Sequence, residues 1–183
     1  MAVHFTGEVL NAGKNNPRKW FENLPVSISP DYVVYMDDFT GVALDTTNDW
    51  TLIKDSSATA ALGADAESGT LVLTSQATTD NDGASVQGNE IYALSSTRDI
   101  WFETKLTPTD AEGNAMDICV GLTVNFATNP EAMLTAADRI VFQVDDGDSN
   151  IDCVTEKDGT ATTTDSGVDI ESGTAVTLGF HVK

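Results

Sequence analysis

The densest cluster of potential ligating groups is Asp145, Asp146, Asp148, Asn150 and Asp152, packed into DDGDSNID. Counted from Asp146, oxygen-bearing side chains fall at loop positions 1, 3, 5 and 7, the spacing by which an EF-hand surrounds calcium. The rest of that pattern is missing. Position 6 is Ile151 where the tight turn needs glycine, and position 12 is Lys157 where a bidentate glutamate belongs. Asp146, Asp148, Asn150 and Asp152 therefore stand as weak metal candidates, and no metal or other cofactor is assigned. The same residues read more simply as a hairpin loop in which Gly147 and Asn150 take positive φ. Lys157–Gly159 reads as a second tight turn.

Nucleophilic catalysis needs an imidazole beside the nucleophile and a carboxylate behind it. Only His4 and His181 are present, one near each end of the chain. His181 sits between Phe180 and Val182 in an alternating run, which places it toward solvent or an interface. Glycoside hydrolysis by the retaining route needs two carboxyls about 5–5.5 Å apart, as acids two or four residues apart on one strand provide. Glu103 has Trp101 and Lys105 on its own face instead, and no catalytic residue is assigned. Trp20, Trp50 and Trp101 could form a sugar-stacking platform, but each has apolar neighbours and reads as core. Cys119 and Cys153 lie far apart without a second cysteine or histidine at ligand spacing, and read as packed reduced thiols, with a disulfide between them as the alternative.

The elements that hold these residues are strands. WTLIK near Trp50, TLVLT after the ESGT turn, GASVQG near Val86 and DIWFETKLT ending before Pro108 read as strands. DYVVYMDDF, from Asp31, reads as another, with Tyr32, Val34 and Met36 on one side. In MDICVGLTVNF, Met116, Ile118, Val120, Leu122, Val124 and Phe126 share one face, the clearest alternation in the chain. The last third reads as a β-meander, with Ile140, Phe142 and Val144 in one apolar series and Val176, Leu178, Phe180 and Val182 in another. One exception is TNPEAMLTAADR, where Asn129 suits an N-cap, Pro130 the first helical position and Glu131 the first turn. These features predict an all-β, two-sheet antiparallel sandwich over residues 31–183 with one short helical insertion.

Residues 1–30 differ in kind. Three prolines, two glycines and an Asn-rich GKNNPRKW argue for an extended arm. Phe5, Trp20, Phe21 and Leu24 are too apolar for solvated coil, so the arm is expected to lie against its own domain or a partner. Lys14, Arg18 and Lys19 against Glu8 and Glu22 give it a local charge of +1, whereas residues 31–183 carry −21, for a net −20. So acidic a body repels nucleic acid and anionic membrane. No apolar run approaches the roughly 20 residues that span a bilayer. The N-terminus carries no secretory signal, so synthesis is expected in the cytoplasm. A chain of 183 residues with mean hydropathy −0.14 fits one globular domain with an arm.

DDFTG at Asp37–Gly41, RIVFQVDDGDSNID, EKDGTATTT and TAVTLGFHV occur in an order that resembles a family of tailed-bacteriophage virion proteins. The resemblance covers roughly residues 31–183 and implies a concanavalin-A-like jelly roll of the kind that decorates capsid exteriors. It implies a decoration (cement) protein made in the host cytoplasm and placed on the virion's outer head surface, where it stabilises capsomer junctions. Its partners would be the major capsid protein and further copies of itself, with a trimer favoured. The partner-binding arm would use Phe5, Lys14, Arg18, Lys19, Trp20, Phe21 and Leu24. A lectin-like adhesion module binding glycan is the alternative, and a glycan-active enzyme the third reading. Jelly rolls of this type continue beyond the LGF strand, whereas this sequence stops at Lys183. The expected edge is covered by a neighbour, by the arm or by further chain.

Overall fold

The computed structural model describes residues 35–183 apart from 56, 65–68, 76–82, 95–96, 110–115 and 125–128. The chain divides into Met1–Asp37 and Asp38–Lys183, and the second unit is the one described below. The expected arm, 1–30, with Phe5, Lys14, Arg18, Lys19, Trp20, Phe21 and Leu24, lies outside the described residues.

The fold is all-β and antiparallel. Among the described residues ten strands follow in order: β1 (Trp50–Lys54), β2 (Thr59–Leu62), β3 (Leu71–Thr74), β4 (Ala84–Gly88), β5 (Ile100–Leu106), β6 (Ile118–Thr123), β7 (Arg139–Val144), β8 (Asn150–Lys157), β9 (Thr160–Asp169) and β10 (Val176–Val182). They pair as β1–β4, β2–β3, β5–β10 and a four-stranded sheet β6–β7–β8–β9. A 3-10 helix, Pro130–Thr135, stands between β6 and β7. It begins at the proline expected to open it, and the Ala132 amide donates to Asn129 O at 3.1 Å, the tight i to i+3 geometry.

The core follows from alternation in β7. Phe142 and Val144 point to one face and Val141 to the other, and all three are buried. Phe142 and Val144 join Ile151 of β8, and Val176, Leu178 and Phe180 of β10 pack against them. Phe180 is stacked on Phe102 of β5 at 4.9 Å and tilted on Phe142 at 6.0 Å, so it bridges the β5–β10 pair and the four-stranded sheet. The opposite face carries Val141 and Val154, in register with each other and 2% and 3% exposed. There the Arg139 guanidinium donates to Met133 O at 3.1 Å, tying β7 to the 3-10 helix.

Turn chemistry closes the hairpins. Asp158 and Gly159 both have positive φ (51° and 74°) between the paired Lys157 and Thr160, the two-residue turn whose twist suits a hairpin. Gly147 also has positive φ, 82°, as expected. Asn150 does not. It is the first residue of β8, where its amide donates to Asp148 Oδ1 at 3.0 Å.

Three expectations change. Of DYVVYMDDF, residues 31–34 lie outside the described residues, and residues 35–39 form no strand, with Met36 78% exposed. Of the Met116–Phe126 alternation, the strand spans Ile118–Thr123 and the Val124 amide then turns to Asp138 O at 3.2 Å, while Phe126 lies outside the described residues. The closing run is not one continuous meander. The threonine-rich β9 completes the hairpin series, and β10 then leaves for β5, because its Val176, Leu178 and Phe180 series is buried against Phe142, Val144 and Ile151.

Candidate functional site

The acidic hairpin between β7 and β8 is organised by its own backbone. The Asp148 amide donates to Asp145 O at 3.0 Å, and the Asp146 amide to Asp117 Oδ1 at 2.7 Å. Asn150 Nδ2 donates to Asp152 Oδ1 at 2.8 Å, so one candidate ligand already accepts from its neighbour's amide. Among the described residues, no three acidic, histidine or cysteine side chains gather closely enough to hold a metal. Asp146 and Asp148 thus lie in the loop and Asn150 and Asp152 in β8, without forming a cation shell among the described residues.

The β5–β10 pair does bring expected residues together. Register sets His181 opposite Trp101, Gly179 opposite Glu103 and Thr177 opposite Lys105, all on the face turned away from Phe102 and Phe180. The His181 ring stacks on Trp101, with centroids 4.6 Å and planes 9° apart. His181 Nε2 lies 2.9 Å from Asp99 Oδ2, and the two side chains are 19% and 42% exposed. Trp101 therefore belongs to a polar face, whereas its apolar neighbours in sequence had pointed to core. The imidazole is held between a carboxylate and an aromatic ring. Among the described residues, no serine or cysteine side chain is hydrogen-bonded to it. Asp99 was not recognisable as its partner, since 82 residues separate them.

Trp50 is half-buried and tilted against Phe39 at 5.8 Å. Cys119, on the β6 face toward the 3-10 helix, contacts Met133 O through Sγ at 3.9 Å. Burial pushes its thiol up to about 12, with Arg139 pulling weakly the other way and Asp145 adding to the rise. Burial, and to a lesser degree Asp152, also raises the Cys153 thiol. Both cysteines are free, and neither thiol is prepared for chemistry at neutral pH. The seam between β10 and the four-stranded sheet, lined by residues including Leu106, Val120, Phe142 and Leu178, encloses about 10 Å³. That is water-sized and wholly apolar, a packing gap and not a ligand pocket.

Among the described residues, no helix is long and apolar enough to cross a membrane. Comparison with protein-family models, with curated proteins and with solved structures finds no match for this chain.

Proposed function

We propose that the chain is a capsid decoration protein of a tailed bacteriophage. An acidic jelly-roll body would face outward on the head, and residues 1–30 would anchor it to the shell or to a neighbouring copy. The observation carrying this reading is the path of the chain between strand groups. It leaves β5, runs through β6–β7–β8–β9, and returns at β10 to pair with β5. The apolar faces of β10 and β7 meet across Phe142 and Phe180. Such excursions are what a jelly-roll sandwich requires, and they accompany the ordered sequence segments that resemble phage virion proteins. The charge of −20 suits a protein displayed at high copy number, because like-charged outer faces resist aggregation.

The mechanism is mechanical. Burying Trp20, Phe21 and Leu24 across a capsomer junction gains about 25 cal/mol per Å². Lys14, Arg18 and Lys19 add charge-assisted hydrogen bonds to acids on the shell. The test is co-sedimentation of the full chain with phage heads lacking it, followed by thermal disruption of those heads. Saturable binding with a higher disruption temperature supports the reading, and absence of binding rejects it.

One observation favours a second reading, a glycan-binding module on a virion. Trp101 lies beside His181, Glu103 and Lys105 on a polar sheet face, where an aromatic ring and hydrogen-bonding groups could receive a sugar. A glycan-array signal abolished by Trp101→Ala, with unfolding transitions unchanged, would select this reading over the first.

A further inference from the structure

We propose that β9 is a self-association strand, through which two copies of this chain join their four-stranded sheets edge to edge. β9 forms one edge of the β6–β7–β8–β9 sheet, and all ten of its residues are exposed. The other edge, β6, is half-buried at every position.

Sheet edges in monomeric proteins are normally blunted by lysine, proline, a bulge or an inward charge. The run Thr160–Thr164 (TATTT) contains none of these. Threonine suits extended backbone, and among the described residues no side chain satisfies an amide of this run. The blunting devices begin after it. Gly167 has positive φ of 70° beside the register shift opposite Asn150–Asp152. The Gly167 amide donates to Asp165 Oδ1 at 2.6 Å, and the Val168 amide to Ser166 Oγ at 3.2 Å. The pairable stretch is therefore Thr160–Asp165.

Its chemistry selects a second copy, antiparallel, as the occupant. A two-fold axis through Thr162 sets Thr162 opposite Thr162 of the other copy, Ala161 opposite Thr163 and Thr160 opposite Thr164, each opposed pair sharing one face of the joined sheet. Cross-strand threonines pair well, and Asp165 stays outside the paired run. Parallel in-register pairing would oppose Asp165 to itself. The remaining surface, at −20 per chain, repels another copy, so this uncharged edge is where two can approach. The isologous contact gives a dimer, not the trimer the resemblance favours.

The test is analytical ultracentrifugation of the full chain over a range of concentrations, at about 0.05 M and about 0.5 M salt. The wild type is expected to dimerise, more tightly at high salt as its self-repulsion is screened. The double variant Thr162→Asp with Thr163→Asp sets carboxylates opposite one another and should weaken the dimer at least about ten-fold. These side chains are exposed, and an unchanged circular dichroism spectrum verifies folding. Mixing that variant with Thr162→Lys, Thr163→Lys should restore a mixed dimer. A wild type that is monomeric at both salts overturns the proposal, as does a dimer or trimer indifferent to these substitutions. No shell is present, so the result is independent of capsid attachment.

Discussion

Arg139 of β7 and Glu156 of β8 stand directly opposite each other, with Nε and Oε2 2.9 Å apart and side chains only 8% and 12% exposed. The guanidinium also holds the 3-10 helix through Met133 O. Arg139→Ala leaves Glu156 nearly buried without its cation, which should cost about 3 kcal/mol in urea unfolding. Arg139→Met combined with Glu156→Leu removes both charges and should recover most of that loss. If the double variant is no better than Arg139→Ala, the pair contributes through more than mutual neutralisation.

Gly121 of β6 lies against β7 with no room for a side chain. A Cβ there would come within 2.3 Å of Ile140 O and 2.8 Å of Val141 Cα, both backbone. Gly121→Ala must push the strands apart and should destabilise by about 3 kcal/mol. The contrasting site is Gly159, where a Cβ meets nothing but φ is positive. Gly159→Ala should cost about 1 kcal/mol, all of it backbone strain. Gly121 also has positive φ, 152°, so its substitution adds clash to strain, and equal effects in chemical denaturation would contradict that added cost.

The Cys119 thiol, raised to about 12 by burial, ties stability to alkaline pH. The unfolded thiol ionises near 9, so between about 9 and 12 the unfolded state releases its proton while the folded state keeps it. Stability from this group is thus complete below pH 9 and falls as pH rises toward 12. Comparing wild type with Cys119→Ala should show a shallower alkaline loss in the variant. At pH 8 the native Cys119 thiolate fraction is about a thousand-fold below that of a free thiol. Alkylation followed by mass spectrometry should therefore label Cys153 first.

Much of the fold is legible in the sequence where a local rule acts alone. The apolar alternation at Ile140, Phe142 and Val144 located β7, the Asp158–Gly159 turn located a hairpin, and Pro130 located the start of the 3-10 helix. What escaped depends on distant partners. β9 is exposed throughout, so no hydrophobic period reveals it, and its geometry comes from pairing with β8. The departure of β10 to β5 is set by Phe180 meeting Phe102 and Phe142, contacts that residue spacing does not encode. The Trp101 face was hidden for the same reason, since Asp99 and His181 meet only through that pairing. The acidic loop illustrates the converse. Its ligand-like spacing is plain, but the Asn150 amide donates to Asp152 and the oxygens do not converge.

The proposed decoration role requires residues 1–30 to anchor the acidic β body to a phage head. The most direct measurement compares the full chain with a version lacking residues 1–30 in co-sedimentation with heads that lack the protein. Circular dichroism of the shortened chain first establishes that the body has kept its β fold. The account predicts saturable binding of the full chain and at least about ten-fold weaker binding of the shortened one. Undiminished binding without residues 1–30 would contradict it.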